Sequence, residues 1–349
     1  MERDFNKPFR YGRELPGYPF NAKAFLTRCL IVLQRKIYRN GWFPWSDFKR
    51  PKPDWNAEDT QKRLAEIIRA GKPVMVARFG SGELEATLRG LAILDRKEHG
   101  FLRSFFRLLA GKTAPFWWDN SIRAGLCWVA GYFPPTDDDL DRFAARVFQD
   151  CAELDILATW QEGEGRMRRR FFPDARLCSM DGFTYPFQYG SPWYSALAGR
   201  RVLVVHPFGK TIRFQFACRE GVFPAGKNLP DFDLLSYLPP MTFGGHQGTS
   251  RFATWIETLD SMIEEIRHIP FDIALIGAGA YGMCLAAAVK RMGRIGIHMG
   301  GATQLLFGIK GGRWDGNGIG DAFYNEHWVR PSGDEVPENS ANIEGGGYW

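Results

Sequence analysis

The chain has 349 residues, enough for about two or three domains of ordinary size and for a large buried core. Its 45 Lys and Arg against 39 Asp and Glu leave a formal charge of +6, and 45% of the residues are hydrophobic. This composition is typical of a soluble globular protein and excludes a small disulfide-stapled scaffold. The charge surplus is too small to indicate a nucleic-acid partner, but it suits an anionic ligand such as a phosphate.

Two further features of the composition bear on where the protein works and what it binds. The six cysteines form no C-x-x-C pair and no zinc spacing with the six histidines, so we expect reduced thiols in a cytoplasmic protein. Neither a signal peptide nor an apolar stretch long enough to span a membrane is evident. Aromatic residues make up 15% of the chain, which predicts either an aromatic core or flat faces that stack on a ligand.

Residues 1–55 are predicted to form an N-terminal arm rather than a domain, because prolines recur on both sides of a single apolar stretch. That stretch, residues 24–39, carries the basic side chains Arg28, Arg35, Lys36 and Arg39. It fits either a basic amphipathic helix on a membrane surface or a helix that packs on the body with its charges in solvent.

From Trp55 onward, short apolar runs alternate with helical patterns, which is typical of a parallel α/β sheet. The predicted strands, each followed by a glycine-containing turn, are Val74–Phe79, Val202–His206, Ile273–Ile276 and Ile295–Met299. A helix capped near Thr136 is predicted to run to Leu157. A boundary near Gly190 separates an α/β lobe over 56–190 from a Rossmann-like lobe over 191–349. We predict Rossmann-like, mostly parallel doubly wound sheets in two lobes with a cleft between them.

The first candidate site follows the strand that begins at Val74, in the segment Arg78, Phe79, Gly80, Ser81, Gly82 and Glu83. In a purely structural interpretation, the Glu83 carboxylate accepts hydrogen bonds from the free N–H groups in the first turn of a helix. In a functional interpretation, Arg78 pairs with a phosphate and Glu83 accepts a proton, while Gly80 and Gly82 let the ligand approach the backbone closely.

The second candidate follows the strand that begins at Val202. His206, Lys210 and Thr211 resemble the end of a P-loop, but Val204 stands where that motif requires a glycine. Lys210 and Thr211 at a helix start are suited to hold a phosphate oxygen. His206 is equally well explained as a core histidine.

The third candidate is a G-x-G-x-x-G turn, formed by Gly277, Gly279 and Gly282 between a strand and an alanine-rich helix. It fits close approach of a nucleotide phosphate, or else a tight packing turn between strand and helix. NAD binding would require an acidic residue at the end of the next strand, where residues 297–300 offer none.

The fourth candidate begins at His298 and continues through glycines that accompany polar and cationic side chains. Its predicted binding residues are Gly300, Gly301, Gln304 and Arg313. Flexible glycines beside such groups suit a pyrophosphate or a sugar.

The segment Val76–Glu83, which reads V-A-R-F-G-S-G-E, resembles the R-[FY]-G-D-G-E segment of GT-D-type glycosyltransferases. Those bacterial enzymes use nucleotide sugars in surface-glycan assembly. Residues 202–211, 276–282 and 298–314 are similar to segments of uncharacterised bacterial proteins grouped with that fold and associated with polysaccharide gene clusters. The resemblance implies a nucleotide-sugar donor, with a UDP-sugar favoured, and a glycan or lipid-linked acceptor. The cysteines and the basic stretch 24–39 predict a cytoplasmic protein, or one that contacts the inner face of the membrane through that stretch.

Two departures from the family pattern concern the metal. Ser81 stands where the family has Asp, so Arg78, Gly80, Gly82 and Glu83 are the residues that carry over. The family's D-x-E motif, which implies Mn²⁺ or Mg²⁺, has no counterpart after the strand that begins at Ile295. The sequence therefore predicts no metal ligand.

The sequence as a whole predicts a glycosyltransferase for polysaccharide biosynthesis that passes a sugar from a nucleotide donor to a hydroxyl group. Glu83 is the first choice for the base, with His206 and His298 as alternates. Arg78, Lys210, Arg313 and the glycine turns would stabilise the departing diphosphate. The alternatives are a non-catalytic nucleotide- or glycan-binding protein and a nucleotide-dependent oxidoreductase.

Overall fold

The structure is a computed structural model that describes residues 49–242, 247–338, 340 and 346–349, together with 25–26, 29–30, 32–33 and 36. The arm predicted over 1–55 and its stretch 24–39 thus lie largely outside the described residues, although the described members of that stretch are helical. No helix in the described part of the chain has both the length and the apolar character that a membrane crossing requires.

Seven strands of the described chain form one sheet in the order β3-β2-β1-β7-β6-β4-β5. The strands are β1 (Val74–Ala77), β2 (Ile156–Thr159), β3 (Arg176–Ser179), β4 (Arg201–Val205), β5 (Asp233–Tyr237), β6 (Ile273–Ile276) and β7 (Ile295–His298). All neighbouring pairs in this sheet are parallel. The predicted α/β class and the doubly wound parallel sheet are confirmed.

Both predicted lobes contribute strands to this one continuous sheet, and the division of the chain into two lobes stays a prediction. Strands β1 to β3 come from residues 56–190, and β4 to β7 come from 191–349. The halves meet where β1 pairs with β7, with Val74 opposite Ile295 and Ala77 opposite His298. The carboxyl ends of β1 and β7 therefore lie side by side, and the chain leaves them toward opposite faces of the sheet. Ser81–His99, which follows β1, packs on one apolar layer, and Gly300–Phe307, which follows β7, packs on the other. Ligands of open α/β sheets bind in the crevice between strand ends whose connections diverge in this way.

Helices cover both faces of the sheet. The described α-helices are α1 (Ala57–Ala70), α2 (Ser81–His99), α3 (Phe101–Leu109), α4 (Asn120–Arg123), α5 (Asp137–Cys151), α6 (Glu164–Phe171), α7 (Met180–Thr184), α8 (Gly209–Ala217), α9 (Trp255–Arg267), α10 (Tyr281–Arg291) and α11 (Gly318–Phe323). A π-helix spans Ala124–Val129, and 3₁₀-helices span Pro186–Gln188, Trp193–Leu197, Gly300–Phe307, Gly312–Trp314 and Gly333–Glu335.

The core consists of one apolar layer on each face of the sheet. Met75 and Ala77 of β1 point into the layer beneath α2, α5, α9 and α10, whereas Val74 and Val76 point into the layer beneath α1, α8 and the C-terminal segments. This alternation is the period of two that a strand imposes on its side chains. Because both faces are covered, the central strands are apolar at nearly every position.

The helix predicted to extend to Leu157 is shorter in the structure. It begins after its cap Thr136, whose side chain accepts a hydrogen bond from the Asp139 amide, and it ends at Cys151. Residues 156–159 instead form β2, which inserts between β1 and β3. The prediction was wrong here because a four-residue strand that follows a helix closely extends the apolar pattern of that helix.

Candidate functional site

The candidate site lies at the carboxyl edge of the sheet, where β1, β6 and β7 end next to one another. Arg78 follows β1, Gly277 follows β6, and His298 is the last residue of β7. The parallel arrangement brings the turns after these strands to one edge. The first, third and fourth segments singled out in the sequence therefore come together.

Arg78 is held over the end of β7 by backbone groups. Its Nε donates to the Met299 carbonyl at 3.2 Å, and its Nη1 donates to the Phe79 carbonyl at 3.4 Å. The guanidinium lies 5.7 Å from the ring centroid of Trp160, within cation–π range. Gly300 has φ +65°, and a Cβ there would lie 2.4 Å from Nη2 of Arg78. A glycine at this position is therefore what allows the guanidinium to rest against the backbone.

A second guanidinium, that of Arg313, contributes to the potential at this edge. Loss of solvent contact lowers the pKa of Arg78, the carboxylate of Glu83 opposes this, and the positive charge of Arg313 lowers the pKa further. Arg313 stacks on the Tyr348 ring at 4.4 Å. Two cations whose charges disfavour each other make a site that an anion would stabilise.

Glu83 lies in the first turn of α2, and its carboxylate folds back over Gly80. A Cβ on Gly80 would lie 2.0 Å from Oε2 of Glu83, so a glycine is required to make room for the carboxylate. Loss of solvent contact raises the pKa of Glu83, while the charge of Arg78 lowers it. A carboxylate whose pKa is raised toward neutrality is better matched to accept a proton than an ordinary one.

A small cavity of about 10 Å³ adjoins Glu83, enough for one water molecule. Its lining residues are Arg78, Phe79, Gly80, Glu83, Phe143, Val147, Gly279, Ala280, Met283 and His298. A nucleotide does not fit in this space. A large ligand would instead lie on the open side of the strand ends, with Glu83 at its inner wall.

The two predicted histidines are both buried in this part of the molecule. Nδ1 of His206 accepts a hydrogen bond from the Phe208 amide at 3.1 Å, and Nδ1 of His298 lies 3.3 Å from the Ile276 carbonyl. Burial lowers the pKa of each to about 3. Both rings are thus neutral and poorly basic, which leaves Glu83 as the better proton acceptor.

The G-x-G-x-x-G turn is filled by protein atoms. A Cβ on Gly277 would lie 2.5 Å from the His206 ring, and one on Gly282 would lie 2.0 Å from the His298 ring. Gly279 has φ +51° and faces the Ala130 carbonyl, which accepts a hydrogen bond from the Ala280 amide. These contacts support the alternative in which the turn packs strand against helix. A phosphate role for these glycines stays a prediction.

The tail closes one side of the site. Residues 346–349 pack on the segment that follows β7, and a Cβ on Gly301 would lie 2.0 Å from the Tyr348 ring. Gln304 is fully buried, and its amide nitrogen donates to the carbonyls of Ile309, Lys310 and Tyr348. Gln304 therefore holds the turn and the tail together, and its amide nitrogen is engaged by the protein.

Lys210 and Thr211 lie at the N-terminus of α8, where carboxylates of the chain already bind them. The amide of Lys210 donates to Glu335 at 2.7 Å, and its Nζ lies 3.0 Å from Asp334. The hydroxyl and the amide of Thr211 also donate to Glu335. The position predicted for a phosphate oxygen thus holds a carboxylate, and a phosphate role for these two residues stays a prediction.

Gly82 lets α2 pack closely against the π-helix. A Cβ at this position would lie 2.6 Å from the Gly125 carbonyl of the π-helix. Close contact between α2 and that helix accounts for this glycine without a ligand.

The residues at the site do not fit a divalent cation. Within the described part of the chain, no three His, Cys, Asp or Glu side chains converge as a metal site would require. Of the described residues that line the cavity, Glu83 is the one carboxylate, and it lies near the charge of Arg78. Mn²⁺ or Mg²⁺ prefers several oxygen ligands, so we derive no step through a metal.

The sequence interpretation missed the contribution of β2 to the site. Nε1 of Trp160 and Nε2 of Gln161 each donate to the Phe79 carbonyl at 3.0 Å, which fixes the turn after β1. Glu164, the first residue of α6, is fully buried beside them. Recognising residues 156–159 as a strand would have directed attention to these side chains at its carboxyl end.

The fold and the site together define a doubly wound parallel α/β protein with a cationic crevice and one carboxylate where β1 and β7 end side by side. No protein-family model matches the chain, and no curated protein matches it. A solved structure described as a selenomethionine-substituted domain of unknown function 1792 is similar over 78% of this chain and 83% of its own, at 13% identity and a TM-score of 0.37. A similarity at this level does not indicate a function, so the functional conclusion depends on the geometry of the site.

Proposed function

We propose that the protein is a glycosyltransferase that transfers a sugar from a nucleotide diphosphate donor to an acceptor hydroxyl. The observation that carries this proposal is Glu83, a carboxylate with a raised pKa, beside the guanidinium of Arg78 where β1 and β7 end side by side. The resemblance of Val76–Glu83 to the GT-D segment agrees with it. On the same resemblance, the donor is a UDP-sugar and the acceptor is a bacterial surface glycan or its lipid-linked precursor.

The proposed reaction needs a proton acceptor and positive charge. The acceptor oxygen forms a bond to the anomeric carbon of the donor, and the bond from that carbon to the diphosphate breaks. The acceptor proton passes to Glu83, and the nucleoside diphosphate leaves with the electron pair of the broken bond. Arg78 and Arg313 would stabilise the negative charge on the leaving group.

A non-catalytic nucleotide- or glycan-binding protein is the second candidate. It is favoured by the absence of clustered acidic ligands in the described part of the chain, because many nucleotide-sugar enzymes hold the diphosphate through a metal. An oxidoreductase is less well supported. The segment after β7 begins Met299-Gly300-Gly301 and offers no carboxylate for a ribose hydroxyl.

The test compares Glu83→Gln with Glu85→Gln, which changes an exposed carboxylate on the same helix. Thermal shifts with UDP, UDP-glucose, UDP-N-acetylglucosamine, GDP-mannose and NAD first identify the nucleotide, and release of free nucleotide diphosphate then reports turnover. We expect Glu83→Gln to keep binding the donor but to lose about 100- to 10,000-fold in turnover, and Glu85→Gln to keep both. Arg78→Ala should weaken binding as well.

The pH profile adds a second criterion. Wild-type turnover should rise as the pH passes the raised pKa of Glu83, because the ionised form accepts the proton, and the variant should lack this rise. Unchanged turnover in Glu83→Gln would contradict the proposal. Donor binding without turnover by the wild type would favour the binding protein, and stabilisation by NAD alone would favour the oxidoreductase.

A further inference from the structure

Helix α3 exposes three of its large apolar side chains to solvent. Its nine residues read F-L-R-S-F-F-R-L-L, and its buried residues are Ser104 and Leu108. Phe101, Leu102 and Phe106 are 58%, 71% and 66% exposed. A surface helix of a globular protein normally turns its apolar stripe inward, so three large exposed side chains on one short helix indicate a surface that binds something.

Exposed basic residues lie near this apolar face. At 3.6 residues per turn, positions 101, 102, 105, 106 and 109 fall within an arc of about 140°, Arg103 follows about 60° beyond its edge, and Arg107 lies on the opposite side of the helix. Arg103 is exposed, and Arg107 is one-third exposed with its Nη2 4.0 Å from Asp95. The preceding turn, at the end of α2, adds exposed Arg96 and Lys97.

We infer that α3 docks on the surface of an anionic lipid bilayer. In this arrangement Phe101, Leu102 and Phe106 enter the interface between headgroups and acyl chains, while the exposed cations Arg103, Arg96 and Lys97 reach the phosphates. Charge complementarity selects this partner over a second copy of the chain, because a symmetric contact would bring the cations around one α3 close to those around the other. The inference goes beyond the proposed function, since α3 contributes no residue to the cavity beside Glu83.

The N-terminal segment has the same character on the same side of the molecule. Its described apolar residues Phe25, Leu26, Val32 and Leu33 are all exposed. Leu30 packs against the apolar layer that Phe105 of α3 also contacts. Both segments therefore belong to the face of the sheet that is covered by α2 and α5, and stable anchoring generally requires two such signals.

The experiment is sedimentation of the full-length chain with vesicles, either phosphatidylcholine alone or phosphatidylcholine with one-quarter phosphatidylglycerol. We expect binding to the anionic vesicles that falls as salt rises, and at least about tenfold weaker binding for Leu102→Glu/Phe106→Glu. The matched control is Phe214→Glu/Leu238→Glu, which adds the same two charges at apolar residues that are 59% and 58% exposed. It should bind like the wild type.

Each other outcome would overturn the inference. Absence of binding to anionic vesicles, equal binding to neutral ones, or equal losses in the double variant and the control would each exclude α3 as a lipid-binding face. Sedimentation without vesicles tests whether a second copy of the chain covers this face. If the wild type is a dimer and the double variant is a monomer, the face belongs to that second copy. Melting temperatures of all variants near that of the wild type establish that folding is intact, as expected for exposed positions.

Discussion

Glu164 illustrates how burial sets the behaviour of a single carboxyl group. Its Oε2 accepts hydrogen bonds from the Thr159 hydroxyl and from the Trp160 amide, whereas Oε1 has no hydrogen-bond partner among the described residues. Burial raises its pKa from 4.5 to about 7. The folded chain therefore holds this proton more tightly than the unfolded chain does.

We predict that this proton makes stability depend on pH. The folded pKa lies above the unfolded one, so the free energy of unfolding should fall as the pH rises through the window between 4.5 and about 7. Glu164→Gln keeps an acceptor for Thr159 and Trp160 but cannot ionise. Between pH 5 and pH 8, the free energy of unfolding of this variant should rise by up to about 3 kcal/mol relative to that of the wild type.

Urea titrations at the two pH values measure the difference. Glu162→Gln, which changes an exposed carboxylate two residues away, is the control and should follow the wild type at both. A difference between Glu164→Gln and the wild type that does not change with pH would show that Glu164 is ionised in the folded protein.

Part of the candidate site could be predicted from residue types alone. Arg78, Glu83 and their glycines stood out in the sequence because charged side chains follow an apolar strand. The roles of Gly282 and Gly300 were not predictable, because the rings and guanidinium that fill the space beside them come from distant segments. Trp160 was missed because the strand before it was assigned to a helix.

At the scale of elements, a buried ion pair links α2 to the start of α4. Nη1 of Arg89 lies 2.9 Å from Oδ2 of Asp119, and both side chains are 1% exposed. Oδ1 of Asp119 also caps α4 by accepting from the Ser121 amide at 2.9 Å. Glu85 contacts the same guanidinium at 3.6 Å from the solvent side, with its side chain 53% exposed.

The two carboxylates provide a matched comparison. Asp119→Ala should lower the free energy of unfolding by about 3–5 kcal/mol, because it leaves the Arg89 charge buried and removes a helix cap. Glu85→Ala should lower it by less than about 1 kcal/mol, because exposed pairs are screened by solvent. Chemical denaturation of both variants checks this, and equal losses would mean that Arg89 does not depend on Asp119.

The strands that are buried on both faces of the sheet were the easiest elements to predict from the sequence. Strands β1, β4, β6 and β7 are central, and their apolar runs between turns marked them in the sequence. Strands β3 and β5 lie at the edges and include polar residues such as Arg176 and Asp233, so their pattern is weaker. Strand β2 is also central and fully buried, but it follows α5 closely, so its apolar run was assigned to that helix.

At the scale of the whole molecule, the pairing of β1 with β7 joins the two halves of the sheet. Helix α10 packs over β1, β6 and β7 and against α5, so it bridges the same junction. We predict a single cooperative unfolding transition, seen together by tryptophan fluorescence, far-UV circular dichroism and calorimetry. Two separate transitions would show that residues 56–190 and 191–349 fold independently.

A variant at the junction sharpens this prediction. A Cβ on Gly296 of β7 would lie 2.5 Å from the Ala286 carbonyl of α10, whereas a Cβ on Gly190 would meet open space. Gly296→Ala should therefore lower the midpoint of the whole transition by several degrees, corresponding to about 1–3 kcal/mol, and Gly190→Ala should leave it in place. If Gly296→Ala shifted the signal of one half alone, the cooperative link would be refuted.

The sequence by itself determined the α/β class, four of the five central strands and the glycine turns with their nearby cations. These follow from local patterns, because a strand buried on both faces must be apolar and the turn after it must be tight. The tertiary structure alone decided which turns meet. Arg78 contacts Met299, 221 positions along the chain, and Glu335 binds the helix start 124 positions before it at Thr211. Such partners depend on strand order, and strand order depends on pairing between distant segments that no local pattern records.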